Sequence, residues 1–270
     1  MTDLSERTSI SGRTRIAMIL ADPVLHVRTP QEMNAHFAAI GRDAVLVPCH
    51  VEAGDLPAVV EGLRRMRNLD GVIVTVPHKS RVALLCDSLT EEARMVGAVN
   101  AIRRHPDGKL TGGQFDGEGF VAGMRKAGHL VRGRQVLMAG AGGAAAGIGF
   151  ALLRAGISRL SIHNRSAERA EELVRRLRAT FPSHDIDVGG SDPTGHDIVV
   201  NATSLGLHDG DAFPLDTSRL APPMLVAEVI MQPEVTPLLA EAMRLGCATH
   251  GGYAMLAEQV ALLASFIVGR

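Results

Sequence analysis

Aromatic residues are scarce in this sequence: they make up 3% of its 270 residues and include no Trp. Since hydrophobic residues nevertheless reach 46%, the cores must be built from aliphatic side chains. The net charge of -1 provides no field that would attract nucleic acid or an acidic membrane surface. No apolar run approaches the roughly 18 residues that a membrane-spanning helix requires.

Cysteine is also scarce. Cys49, Cys86 and Cys247 stand far apart, without the spacing of a metal site or of a disulfide framework. Residues 1–13 are polar and lack the apolar centre of a secretion signal. These absences predict a cytoplasmic protein that takes a small-molecule substrate and binds no nucleic acid, no membrane and no metal. They leave a homodimer possible.

Buried strands and amphipathic helices alternate along the chain. A chain of 270 residues is long enough for two domains, and the alternation predicts an α/β fold made of βαβ units with mostly parallel sheets. The composition changes at the glycine-rich segment 112–119, which we take as the boundary between the domains.

One stretch, Gly71 to Lys79, combines a buried strand with polar residues. The β-branched run Val72 to Val76 is typical of a strand buried on both faces, and Pro77 cannot donate to a sheet and should end it. Thr75 and Lys79 then lie at the carboxyl end of the strand, where open α/β sheets place their ligands. A solvated lysine would fit this position equally well, so a catalytic role depends on the rest of the chain.

A glycine-rich loop stands between the predicted strand at 135–139 and the helix that ends at Arg154. Glycine lets the backbone approach a pyrophosphate, and the helix N-terminus supplies amide donors and the positive end of its dipole. This strand–loop–helix context predicts a dinucleotide site. The candidate cofactor residues of the loop are Gly140, Gly142, Gly143 and Ala144.

The end of the following strand predicts which dinucleotide binds. An NAD site would carry an acidic residue here to accept from the ribose 2′-hydroxyl, whereas this chain has Asn164, Arg165, Ser166 and Arg169. Arg165 can clamp a 2′-phosphate and Ser166 can donate to it. Arg169 either contacts the phosphate or lies in solvent. NADP is therefore the predicted cofactor, and NAD is the alternative.

Several longer motifs follow one another in a fixed order. The pattern Gly-x-Asn-Val-Thr-x-Pro-x-Lys corresponds to Gly71 to Lys79, and Gly-Ala-Gly-Gly-Ala to Gly140 to Ala144. Further matches are Gly97 to Asn100, Asp116 to Gly119, Asn164 to Ser166, Asn201 to Gly206 and Gly252 to Gln259. From Ile16 to Leu263, the series resembles the shikimate dehydrogenase family.

The resemblance implies the NADP-linked, reversible oxidation of the shikimate ring hydroxyl to the ketone of 3-dehydroshikimate, as in aromatic amino acid biosynthesis. It implies Lys79 and Asp116 as the catalytic pair, and a positioned ammonium suits the protonation of the alkoxide that forms on ketone reduction. By the same resemblance, substrate residues are Thr29, Thr75, Asn100 and Gln259, and further cofactor residues are Asn201, Thr203 and Gly252.

The resemblance also implies a particular domain organisation. Residues 1–116 together with 253–270 would form a substrate-binding α/β domain, and residues 117–252 a Rossmann-like dinucleotide domain. The last helix would return to the first domain, so that Gln259 faces Lys79 across a cleft.

The chain departs from the family pattern at positions that would hold the substrate. Val27 and Ile73 stand where the pattern has serine and asparagine, and Phe115 and Met231 replace a threonine and a tyrosine. Each lost hydrogen bond to a charged group costs about 1.5–3 kcal/mol. Three alternatives stay open: a shikimate dehydrogenase with a rearranged carboxylate site, a paralogue acting on quinate, an amino analogue or another cyclic polyol, and an inactive nucleotide-binding sensor.

Overall fold

The computed structural model describes residues 10–25, 27–208 and 210–269. The chain divides into two compact units, one formed by Met1–Gln114 with Val260–Arg270 and the other by Phe115–Gln259. Strands and helices alternate in both units, which confirms the predicted α/β fold. Among the described residues, no helix combines the length and the apolar character needed to cross a membrane.

The first unit is built on a mixed six-stranded sheet of order β2-β1-β3-β5-β6-β4. Strand β1 runs parallel to β2 and β3, whereas β5 runs antiparallel to β3 and to β6. Its elements are β1 (Arg15–Ala21), α1 (Thr29–Ala39), β2 (Ala44–His50), α2 (Leu56–Arg65), β3 (Leu69–Val74), α3 (Lys79–Ala83), β4 (Ser88–Leu89), α4 (Glu91–Val96), β5 (Ala101–Arg104) and β6 (Leu110–Gly113).

Strand β3 ends at Val74, earlier than its β-branched run predicts. The amide of Thr75 still donates to the carbonyl of Leu20 (3.1 Å), but the amide of His78 then donates to the carbonyl of Thr75 (2.9 Å) and closes a turn. Val76 is 63% exposed as a result. The turn makes Lys79 the first residue of α3.

The second unit is built on a parallel six-stranded sheet of order β12-β11-β10-β7-β8-β9. Read from β9, this is the strand order 3-2-1-4-5-6 of a Rossmann fold, as predicted. Its elements are α5 (Asp116–Lys126), β7 (Gln135–Ala139), α6 (Gly143–Arg154), β8 (Arg159–His163), α7 (Ala167–Thr180), β9 (Asp185–Val188), β10 (Ile198–Asn201), a 3-10 turn (Thr217–Arg219), β11 (Leu225–Glu228), α8 (Pro237–Arg244) and β12 (Ala248–His250).

The last helix, α9 (Tyr253–Val268), belongs partly to each unit. Within the second unit it lies close to α5, because a Cβ at Gly119 would be only 2.9 Å from the Met255 carbonyl oxygen. Within the first unit, a Cβ at Gly71 would be 2.7 Å from Cβ of Ile267. Residues 260–268 of the last helix thus return to the first unit, where Gly71 permits the close approach, whereas residues 253–259 lie in the second unit. The domain bounds 1–116 with 253–270 and 117–252 stay a prediction.

Candidate active site

The carboxyl end of β3 carries Thr75 and Lys79, and backbone hydrogen bonds fix Asn100 beside them. The amide of Val99 donates to the carbonyl of Lys79, and the amide of Val74 donates to the carbonyl of Asn100, both at 2.9 Å. Asn100 is buried, whereas Lys79 and Thr75 are partly exposed. The structure therefore brings three of the predicted site residues to one edge of the first unit's sheet.

His78, next to the lysine, is almost completely buried and has a structural contact. Its Nε2 lies 2.8 Å from the carbonyl oxygen of Val51, the first residue after β2. This hydrogen bond fixes the turn between β3 and α3 to the neighbouring strand. His78 thus helps to position Lys79, a role that the sequence left undecided.

Ile73 and Val27, which differ from the family pattern at proposed substrate positions, lie in two different environments. Ile73 is 4% exposed and pairs with Ile19 on one side and Ala101 on the other. Val27 lies in the loop before α1 and is half-buried, and Thr29 begins that helix. Neither Ile73 nor Val27 can hydrogen-bond a substrate through its side chain. His26, which the sequence favours as a structural loop residue, lies outside the described residues.

In the second unit, Asp116 and Gln259 are hydrogen-bonded to each other. Gln259 Nε2 donates to Asp116 Oδ1 at 2.8 Å, and both side chains are buried. Phe115 precedes Asp116 at the start of α5. A Cβ at Gly119 would also be 3.0 Å from Cβ of Gln259, so this glycine permits the two helices to approach closely enough for the hydrogen bond.

The glycine loop lies between β7 and α6, where β7 and β10 are neighbours and the sheet's strand order reverses. Gly140 has φ +119°, and a Cβ there would be 2.8 Å from the carbonyl oxygen of Ala202, so only glycine fits. Gly142 precedes α6 and faces open space. With Gly143 and Ala144 it leads into a helix whose first turn has no acidic residue. The loop therefore has the room and the electrostatic polarity that a pyrophosphate needs.

The predicted 2′-phosphate residues surround the start of α7. Arg165 and Arg169 are exposed, Asn164 Nδ2 donates to the carbonyl of Ser166 (2.9 Å), and Ser166 Oγ caps the helix by accepting from the amide of Arg169 (3.4 Å). Ser166 Oγ also donates to Glu168 Oε2 at 2.7 Å, which lowers the pKa of Glu168. The position of this carboxylate beside the candidate phosphate site was not predicted from the sequence.

Asn201 and Thr203 shape the loop that follows β10. Asn201 Oδ1 accepts from the amide (3.0 Å) and hydroxyl (2.7 Å) of Thr203, and Asn201 Nδ2 donates to the carbonyl of Leu205 (3.0 Å). Asn201 is fully buried, and its hydrogen bonds hold this loop in place. The loop includes Ala202, whose carbonyl oxygen a Cβ at Gly140 would contact.

Glu228 lies under the same loop and is 0% exposed. Its Oε2 accepts from Thr236 Oγ1 (3.0 Å) and Asn201 Nδ2 (3.4 Å), while Oε1 has no hydrogen-bond partner. Burial raises the pKa of this carboxyl, and the two hydrogen bonds oppose the increase. The strand that contains Glu228 was predicted, but the burial of this carboxyl group was not.

The segment after Glu228 carries the remaining predicted positions. Met231 is 42% exposed, and Gly252 lies against this segment, since a Cβ there would be 2.4 Å from the carbonyl oxygen of Val229. Gly252 therefore permits a close backbone approach. Its predicted contact with the cofactor stays a prediction.

Two family models match the chain. Residues 19–102 match the shikimate dehydrogenase substrate binding domain, and residues 124–206 match shikimate / quinate 5-dehydrogenase. The NADP(+) shikimate dehydrogenase of Rubrobacter xylanophilus is 42% identical over 93% of this chain and 89% of its own length. This chain belongs to the shikimate dehydrogenase family.

Solved structures of the family share the fold. Shikimate 5-dehydrogenase from Listeria monocytogenes, in complex with shikimate and NAD, has a TM-score of 0.89 at 30% identity and covers 97% of this chain and 94% of its own. The 5-ketofructose reductase of a Gluconobacter strain has a TM-score of 0.86 at 32% identity, covering 96% and 95%. Solved structures named for different substrates thus resemble this chain to a similar degree.

Proposed function

We propose that this chain is an NADP-dependent oxidoreductase that interconverts shikimate and 3-dehydroshikimate. The observation that carries the proposal is the edge of the first unit's sheet, where Lys79, Thr75 and Asn100 are fixed together by backbone hydrogen bonds. The near relative named as an NADP(+) shikimate dehydrogenase supports the same activity.

We assign the proton transfer to Lys79 and name Asp116 as the second catalytic residue. During reduction of the ketone, the ammonium of Lys79 gives a proton to the carbonyl oxygen as negative charge develops on it. During oxidation, the same amine takes the hydroxyl proton back. Asn100 and Gln259 hold substrate hydroxyls, and the hydrogen bond between Gln259 and Asp116 keeps the carboxylate in a defined orientation.

NADP fits the residues of the second unit. Gly140, Gly142 and the N-terminus of α6 would hold the pyrophosphate, and Arg165 with Ser166 would hold the 2′-phosphate. When bound, the nicotinamide ring supplies or accepts the hydride. We place the protein in the cytoplasm, since Cys49, Cys86 and Cys247 are free thiols, and a homodimer stays a prediction.

A second candidate function is the same chemistry on another cyclic hydroxyl compound, such as quinate or another polyol. The apolar side chains of Val27 and Ile73 favour it, because two missing hydrogen bonds to a carboxylate would weaken shikimate binding by roughly two to four orders of magnitude. An NAD-linked reaction belongs to this alternative. The inactive sensor is the weakest candidate, since Lys79 and Asp116 are both present.

The experiment that tests the proposal is a kinetic comparison of shikimate, quinate and a panel of cyclic polyols and ketoses, each with NADP and with NAD. The expected result is that shikimate with NADP has the highest kcat/KM. A higher kcat/KM for another compound would replace shikimate as the substrate, and a preference for NAD would overturn the cofactor assignment. Absence of turnover with every compound would favour the sensor.

A further inference from the structure

A basic cavity of about 760 Å³ lies in the first unit, at the opposite end of the strands from Lys79. Strands β1 and β3 begin at this end of the sheet, and the antiparallel β5 ends there. The six residues of β3 therefore separate the cavity from Thr75 by roughly 16–20 Å. The charged and titratable residues that line it are Arg15, Arg67, Asp70, Arg103, Arg104 and His105. The cavity is therefore distinct from the candidate active site and from the glycine loop.

Among the described residues that line this cavity, positive charges outnumber negative ones. Asp70 is the acidic residue among the lining residues, and its carboxylate already accepts from Arg15 Nε (2.8 Å) and pairs with Arg42. Arg104 is held by backbone carbonyls, donating to the Arg64 carbonyl at 2.7 and 2.9 Å. Carbonyl oxygens orient a guanidinium but carry no net charge, so one carboxylate faces four arginines.

Arg103 shows the clearest need for a further partner. Its Nε is buried without a hydrogen-bond partner, and its guanidinium lies over the ring of Phe266 at 5.7 Å from the ring centre. A buried donor without an acceptor is costly. Stacking on an aromatic ring holds the planar group in place, as is common where arginine binds phosphate or carboxylate.

We propose that this cavity binds a compact polyanion of the phosphate class, such as a diphosphate group. The planar forks of several arginines match phosphate oxygens, which they bind through paired hydrogen bonds. A ligand with several negative charges would supply the counter-charge that Asp70 alone does not. The site does not depend on the proposed oxidoreductase activity.

Inorganic pyrophosphate is a suitable probe, and calorimetric titration measures its binding directly. The titration is made without divalent metal and with just enough NADP to fill the glycine loop, so that pyrophosphate cannot enter that loop and no excess NADP competes for the cavity. The expected result is one molecule of pyrophosphate per chain, bound more tightly than orthophosphate because more charges are paired. Equal affinity for citrate would overturn the phosphate class, and no binding to the wild type would overturn the site.

Three arginine variants locate the binding. Arg103→Gln should weaken pyrophosphate binding about tenfold or more, whereas Arg103→Lys, which keeps the charge but loses the fork, should weaken it less. Arg67→Gln, at an exposed position, should also weaken binding and covers the case in which Arg103→Gln fails to fold. The matched control is Arg94→Gln, an arginine of the same unit that donates to the Leu89 carbonyl (3.0 Å) away from the cavity.

The variants also distinguish a specific site from general electrostatic attraction. If Arg94→Gln weakens binding as much as Arg67→Gln and Arg103→Gln do, the attraction is non-specific and the proposed site is wrong. If only the two cavity variants lose affinity, the site is located. Unchanged shikimate kinetics in Arg67→Gln would further show that the cavity is independent of the reaction.

Discussion

The carboxyl ends of the two sheets differ in how closely their residues follow the family pattern. In the second unit, the glycine loop at Gly140 and the Asn201 loop beside it follow the family pattern throughout. In the first unit, the strand that leads to Lys79 keeps the lysine and Thr75 but carries Ile73 in place of an asparagine. The two nucleotide loops thus keep the family pattern, whereas substrate positions depart from it in both units, at Val27 and Ile73 in the first and at Phe115 and Met231 in the second.

The physical reason lies in which atoms do the binding. At Gly140 the backbone itself approaches Ala202, and any side chain would collide, so the position tolerates one residue type. Ile73 is a buried residue of β3, which pairs with β1 and β5, and an aliphatic side chain suits such a core position. A substitution at Ile73 is therefore compatible with the fold, whereas a substitution at Gly140 is not.

The largest effect should come from Lys79→Ala, which removes the proposed proton donor. Removal of a general acid lowers kcat by roughly 10²–10⁴-fold, while the dissociation constant for NADP should stay unchanged because the lysine belongs to the other unit. Steady-state kinetics and a fluorescence titration with NADPH measure the two quantities.

Lys109→Ala is the matched control for this variant, since Lys109 is an exposed lysine of the same unit that pairs with Asp107 at 3.5 Å. Its kcat should equal that of the wild type. Normal turnover by Lys79→Ala would falsify the catalytic assignment.

A smaller effect, confined to the nucleotide half, should follow Arg165→Ala. Loss of a charge-assisted hydrogen bond to the 2′-phosphate at an exposed site should raise KM for NADP about tenfold and leave KM for NAD unchanged. The control is Arg175→Ala, an exposed arginine of α7, the helix that follows Arg165, and Arg175 pairs with Glu172. An equal rise of both KM values would mean that Arg165 supports the loop and does not contact the phosphate.

In the first unit, Val27→Ser should increase activity, whereas the two substitutions above decrease it. A new hydroxyl at this half-buried loop position should raise kcat/KM for shikimate by roughly ten- to hundredfold, the value of one hydrogen bond to a carboxylate. Val24→Ser, in the same loop, is the control. No gain for shikimate, or an equal gain for every substrate in the panel, would show that Val27 does not contact the carboxylate.

The sequence predicted those features that depend on local constraints. The Rossmann fold of the second unit and the glycine loop follow from strand–helix alternation and from residues that allow one conformation, such as glycine in a tight turn. The short strands β4, β9 and β12 were missed, because two to four residues carry too little periodicity to be recognised.

Features that depend on tertiary contacts could not be predicted. The place where β3 ends is fixed by a hydrogen bond from the amide of His78, and the role of the His78 ring depends on Val51, 27 residues away. The hydrogen bond from Ser166 to Glu168 and the burial of Glu228 depend likewise on three-dimensional packing. Sequence motifs identified the residues, and packing determined what surrounds them.

The smallest effect should be on stability and should arise from Glu228→Gln. Because burial raises the pKa of Glu228 above its usual 4.5, the neutral carboxyl stabilises the fold below that pH, and this stabilisation is lost as the pH rises through the raised value. Glutamine is neutral at every pH and can still accept from Thr236 and Asn201. The variant should therefore have a higher Tm at pH 7, by about 2–4 °C for each kcal/mol.

The pH dependence distinguishes this charge effect from a change in packing. Near pH 4 both proteins carry a neutral group, so the difference in Tm should disappear. Glu241→Gln is the control with the opposite sign, because Arg244 lowers the pKa of Glu241 and neutralisation there should not raise Tm at pH 7. If Glu228→Gln lowers Tm at pH 7, the carboxylate is needed in its charged form to hold Asn201 and the loop at the nucleotide end. The structure of the nucleotide loops would then depend on a buried charge as well as on backbone geometry.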